Sequence, residues 1–139
     1  MQTNLADLRP HRQALVLAAE SVFSDPHSLE RERELKSQLN HLIAVCNEAT
    51  CTEEIELYLR YQSAREGRHI GPELVHAIIE AIHKAFKERR LADESELKLG
   101  AWRLYAVYLA RAYTYRAAVL KANPRTPSHP NRETGGKQR

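Results

Sequence analysis

The sequence predicts an all-α protein: a single helical bundle of about five helices with a disordered basic C-terminal tail. Three observations carry this. Apolar residues recur at steps of three and four along most of the chain. No stretch alternates polar and apolar residues as a half-buried strand would. The breaks between periodic stretches fall at proline, glycine and capping residues. At 139 residues, 42% of them apolar, the chain has length and material for one core. The expected division is a bundle domain over 1–123 and a tail over 124–139.

The first helix is expected over Leu5 to Phe23, with Leu8, Leu15, Ala18, Ala19 and Val22 as its stripe. Pro10 falls in an early turn, where a missing N–H costs little. Pro26 ends the helix by forcing Asp25 out of the α region, and Ser28 caps the next one. The second helix presents Leu35, Leu39, Leu42, Ile43 and Cys46 on one face. Thr52 is the expected cap of the third, with Glu53 and Glu54 at the positive end of its dipole. Ile55, Tyr58, Leu59 and Gln62 line its inner face, and Gly67 is its expected C-cap.

Gly71-Pro72 opens a fourth helix whose stripe is Leu74, Val75, Ile78, Ile79, Ile82 and Phe86. Lys87, Arg89 and Arg90 close it, cations at the negative end of the dipole. Asp93 and Glu96 have capping-box spacing ahead of a long fifth helix, about 95–121. Its stripe is Leu97, Ala101, Leu104, Tyr105, Tyr108, Ala112, Tyr115 and Val119, and Asn123-Pro124 stops it. The remaining residues hold three prolines, a Gly-Gly pair and no large apolar side chain, the composition of a disordered tail.

The net charge of +3 is unevenly spread. Four cations against one acid in 124–139 account for all of it, so the body is neutral. Within the body, 30–56 has seven acids against three bases and 57–123 has twelve bases against seven acids. An acidic first half and a basic second half give the molecule polarity toward partners.

Several function classes are excluded by absence. No apolar run approaches the ~20 residues of a membrane span. Met1 to Pro10 carries Asp7 and Arg9 without an apolar h-region, so no signal peptide and a cytoplasmic location are expected. There is no GxGxxG, Walker A or GxSxG motif. Cys46 and Cys51 are too few for a disulfide scaffold and have no metal or redox spacing. The seven histidines have no Ser, Asp or Cys partner at a recognisable spacing, so no catalytic residue and no enzyme activity is expected.

Glu73-x-x-His76 and Glu80-x-x-His83 each match the Glu-x-x-His signature of carboxylate-bridged di-iron bundles. In such bundles the two motifs face each other from different helices. Here both lie on one helix, ~10 Å apart, and opposing carboxylates are missing. No metal and no cofactor is expected.

The basic half offers a different surface. Arg60, Arg65 and Arg68 run from the third helix into its loop, and Arg103, Arg111 and Arg116 lie on the fifth beside Trp102 and Tyr113. At 100° per residue Arg111 and Arg116 flank the apolar stripe, whereas Arg103 and Lys121 face away from it. Arginine reaches phosphates bidentately and stacks on bases. Tyr105, Tyr108 and Tyr115 lie on the stripe and are expected in the core or an interface.

Two segments, Leu59-Arg60-Tyr61-Gln62-Ser63-Ala64-Arg65-Glu66-Gly67-Arg68 and Trp102 to Tyr113, carry a family likeness. The chain resembles, over roughly 35–116, the small helical subunit of type III CRISPR effector complexes. Those proteins are all-helical and of this length. They have a tyrosine followed by arginine near a glycine in a central helix, and an alanine- and aromatic-rich last helix. The resemblance implies a non-catalytic small subunit of an antiviral ribonucleoprotein. Its copies stack head to tail and contact the RNA backbone of the guide–target duplex, with catalysis in other subunits. The expected RNA-contacting residues are Arg60, Arg65, Arg68, Arg103 and Arg111. The alternative is a helical protein–protein adaptor or regulator, such as a phage or plasmid accessory protein, without nucleic-acid binding. A helical DNA binder comes third, because no tight helix-turn-helix spacing is present.

Overall fold

The computed structural model describes residues 5–24, 35–65, 70–91 and 93–122. A 3-10 helix, Leu5–His11, leads into α1, Arg12–Val22. Then follow α2, Leu35–Glu48; α3, Thr52–Ala64; α4, Pro72–Glu88; and α5, Ser95–Ala122. The architecture is all-α, with five α-helices and no strand among the described residues.

Contacts fix the helix directions. Arg89, just past α4, donates to Pro10 O at 2.9 Å and to His11 Nδ1 at 3.1 Å, so the end of α4 meets the start of α1. Phe23 at the end of α1 packs edge-on to Tyr113, far along α5, at 5.7 Å between ring centroids. Arg103, early in α5, reaches the last turn of α2. The His41 and Tyr58 rings lie 6.1 Å apart, and His83 of α4 meets Glu56 of α3. Successive helices from α1 to α5 therefore alternate in direction. One end of the bundle gathers the ends of α1, α3 and α5 and the starts of α2 and α4. We call it the upper end.

α5 is the axis of the bundle. It packs against each of the other four helices. Leu99, Ala101, Trp102, Tyr105, Ala106 and Leu109 are all buried. This corrects the single-stripe reading of that helix. A central helix is enclosed on more than one side over its first half, so its buried residues do not keep to one face. Trp102 belongs to the core, fully buried and T-stacked on Tyr105 at 5.4 Å, and not to a surface beside Arg103. Tyr113 is likewise partly buried against Phe23. Tyr105 donates its hydroxyl to Ile78 O at 2.6 Å, tying α5 to α4, and burial pushes its phenol pKa up. At 28 residues α5 is about 42 Å long, twice the reach of 14-residue α2, and its last turns extend past Phe23 at the upper end.

α4 follows its predicted stripe, with Leu74, Val75, Ile78, Ile79, Ile82 and Phe86 buried against the core. Pro72 opens it. Two helix starts differ from expectation. Pro10 lies in the 3-10 segment, so the α-helical ladder begins only at Arg12. The N-cap of α3 is Cys51, not Thr52, and its side chain makes no capping bond. Glu54 at N3 supplies the cap instead, accepting from Thr50 N at 2.6 Å and Thr50 Oγ1 at 3.1 Å. Those bonds hold its carboxyl below the usual range. α5 begins two residues after Asp93. The expected caps Ser28 and Gly67 and the tail 124–139 lie outside the described residues.

Four buried side-chain polar atoms among the described residues have no hydrogen-bond partner: Trp102 Nε1, Gln62 Oε1, Tyr58 OH and Arg116 Nε. Each such group costs about 1–3 kcal/mol. No helix of the described residues is long and apolar enough to cross a membrane.

Candidate nucleic-acid interface

The five expected arginines divide into three situations. Arg103 is withdrawn from the surface. Its Nε donates to Cys46 O at 3.0 Å and its Nη2 to Ala49 O at 3.2 Å. The last carbonyls of α2 have no partner within their own helix, and the planar guanidinium satisfies two of them at once. The wheel reading set Arg103 away from the stripe, correctly, but α2 covers that side of α5. Arg103 therefore staples two helices.

Arg60 is exposed and bonds Glu56 one turn back at 3.4 Å. A helix pair at this i,i+4 spacing contributes about 0.3–0.5 kcal/mol, so the exposed guanidinium is released at little cost. Arg65 and Arg111 are exposed. Arg65, at the C-cap of α3, lies 5.8 Å from the Tyr61 ring centroid, a cation–π contact. No carboxylate among the described residues pairs with Arg65 or Arg111. Arg68 lies outside the described residues.

Topology brings Arg65 and Arg111 to the same end of the molecule. α3 and α5 both run toward the upper end, and each arginine falls in the upper half of its helix. α3 ends and α4 begins at this end, and α5 also ends there. Lys121 lies in the last turn of α5.

A cleft opens between α1 and α5 at the same end, with a volume of about 610 Å³. Val16 and Glu20 line it from α1, and Tyr108, Arg111, Tyr115 and Arg116 line it from α5. Tyr108, Arg111 and Tyr115 are spaced three and four apart and so share one face, which Arg116 borders. Tyr115, expected in core or interface, is 68% exposed. The Nε of Arg116 is buried and has no acceptor, an uncompensated donor costing about 1–3 kcal/mol. Sequence reasoning placed Arg116 beside the stripe but did not single it out. Periodicity along α5 does not say that α1 stands opposite.

The Glu-x-x-His residues do not converge. His76 and Glu80 are exposed on α4, and His83 Nε2 contacts Glu56 Oε2 of α3 at 2.5 Å. Among the described residues no three His, Cys, Asp or Glu side chains are grouped to hold a metal ion. Cys46 is buried, which pushes its thiol up to about 12.

Comparison with family models, curated proteins and solved structures finds no match for this chain.

Proposed function

We propose that this protein is a non-catalytic, RNA-contacting assembly subunit of a ribonucleoprotein, of the type III CRISPR small-subunit kind that its sequence resembles. The observation that carries the reading is the gathering of cations at the upper end. Arg65 and Arg111 stand there without carboxylate partners among the described residues, and Lys121 lies in the last turn of α5, which ends there. Arg60, just over one helical turn below Arg65, and Arg68, three residues beyond it in the sequence, extend the set. Arg103 leaves it, because its donors are bonded to carbonyls. Contacts of this type neutralise phosphates, so they read backbone and not sequence. Guide pairing supplies specificity in such a complex, and catalysis resides in its other subunits.

Expression with its neighbouring genes and affinity purification tests the assembly reading. A co-purifying RNA of uniform short length is expected. Purification free of nucleic acid, at low salt and together with all neighbouring gene products, contradicts it.

The adaptor reading has support of its own. Leu57 is 68% exposed and Tyr61 56% exposed, one turn apart on the outer face of α3. Glu53 precedes them by one further turn. An apolar pair with an acidic neighbour suits contact with another subunit, or with the basic upper end of a second copy stacked head to tail. Leu57→Ser then lowers self-association or subunit recovery without changing the melting temperature. If every arginine variant keeps RNA binding while this substitution disrupts assembly, the protein is an adaptor only.

A further inference from the structure

We infer that the α1–α5 cleft is a binding site for a nucleotide unit, an aromatic base carrying a phosphate. Its volume of about 610 Å³ falls within the range of small-molecule sites, about 300–1,000 Å³. Its lining divides by chemistry. Tyr115 offers an open ring at the mouth, with Tyr108 two turns back on the same face of α5. A base has a flat π-face that stacks on such rings.

Arg111 and Arg116 bring two guanidiniums to the same cleft, against the single carboxylate of Glu20. None of the three is paired among the described residues. Arg116 points to an anion, because it lines the cleft with a half-buried guanidinium that no carboxylate among the described residues neutralises. Its Nε is shielded from solvent with nothing to receive the hydrogen. That atom has no open surface, so a phosphate meets Arg116 through the terminal nitrogens of its guanidinium, in the charge-assisted geometry that guanidinium favours. Glu20 is left to accept from a ribose hydroxyl or an exocyclic amine. An acidic peptide would satisfy the arginines but leaves the exposed Tyr115 ring without a flat partner.

The unit has two sources, a free nucleotide or one residue of single-stranded RNA. A base paired within a duplex cannot enter the cleft. The inference shares Arg111 with the backbone contact proposed above but rests on Tyr115 and Arg116, which that contact does not use, so its failure leaves that contact untouched.

The test is an amide NMR titration of the full chain with AMP, adenosine, inorganic phosphate, a short oligoadenylate and an acidic peptide. AMP is expected to shift resonances of 16–24 and 108–116, with adenosine and phosphate each at least about tenfold weaker, a loss of about 1.4 kcal/mol. Arg116→Gln and Tyr115→Ala are each expected to weaken AMP by about tenfold or more. Tyr115 is exposed, so its variant keeps the test valid if Arg116→Gln does not fold. Oligoadenylate binding more tightly than AMP supports the site with RNA as the source, and equal or weaker binding supports it with the free nucleotide. The inference is overturned if millimolar AMP moves none of these resonances, if the variants bind as the parent does, or if only the acidic peptide moves them.

Discussion

The guanidinium of Arg103 caps α2 through Cys46: its Nε donates to the Cys46 carbonyl at 3.0 Å, while Nη2 donates to Ala49 O at 3.2 Å. The bonds cross from the first half of α5 to the last turn of α2. They join the longest helix to an end that has no donors of its own. Hydrogen bonds to a charged group contribute about 1.5–3 kcal/mol each. Arg103→Ala is expected to lower unfolding free energy by about 2–3 kcal/mol in chemical denaturation. Arg103→Lys recovers only part, because an ammonium lacks the planar fork. A variant as stable as the parent shows that the staple contributes nothing.

The two cysteines are expected to behave differently toward a thiol reagent. Cys51 is exposed at the start of α3, and Cys46 is fully buried. Burial raises the Cys46 thiol to about 12, against a smaller opposing effect from Arg103. At neutral pH one equivalent of Ellman's reagent reacts rapidly, and the second only after denaturant is added. Rapid reaction of both thiols in native protein contradicts the packing of α2 on the core.

His11 gives the fold a local acid sensitivity. Burial, and then the charge of Arg89, lower its pKa, and its Nδ1 accepts from Arg89 Nε at 3.1 Å. The neutral form is therefore favoured in the folded state. Its contribution is complete above the unfolded value, about 6.5, and is lost as pH falls through the lower folded value. The melting-temperature advantage of the parent over His11→Gln is expected to shrink between pH 7 and pH 5. An advantage that stays constant or grows on acidification has the wrong sign for this linkage.

Gln62 is buried on α3 with its Oε1 unpaired. Gln62→Leu removes that polar atom and keeps the apolar stem. Stability is expected to rise by about 1 kcal/mol, because a buried group without a partner costs about that or more. Thermal denaturation decides it, and a fall of similar size shows that the amide has a partner worth keeping.

Much of the fold was legible from periodicity and punctuation. α4 announces itself with Pro72 at its start and six apolar residues at helical steps. α5 was legible in length but not in burial. Trp102, Ala106 and Leu109 are enclosed because α5 is surrounded, and a one-dimensional stripe does not contain its neighbours. The α3 cap was misplaced by one residue because Glu54 caps from within the first turn while Thr52 is already helical. The candidate interface was legible as a set of arginines and not as a place. The helical wheel sets Arg111 beside the stripe and Arg103 away from it, yet Arg103 is the one that another helix covers. They are separated by what stands opposite, the end of α2 for one and an open cleft for the other. The placement of Arg116 opposite α1 across that cleft has no local sequence signal.

The most direct test of the proposed function is the salt dependence of binding to unrelated RNA duplexes, measured for the parent and for Arg65→Ala/Arg111→Ala. Both side chains are exposed, so melting temperature is expected to stay unchanged. Affinity for every duplex is expected to fall by a similar factor. The log–log salt slope is expected to flatten by ~0.7–0.9 for each phosphate that the double variant no longer neutralises. Duplex binding with an unchanged slope in the double variant, or no duplex binding by the parent at low salt, contradicts the account.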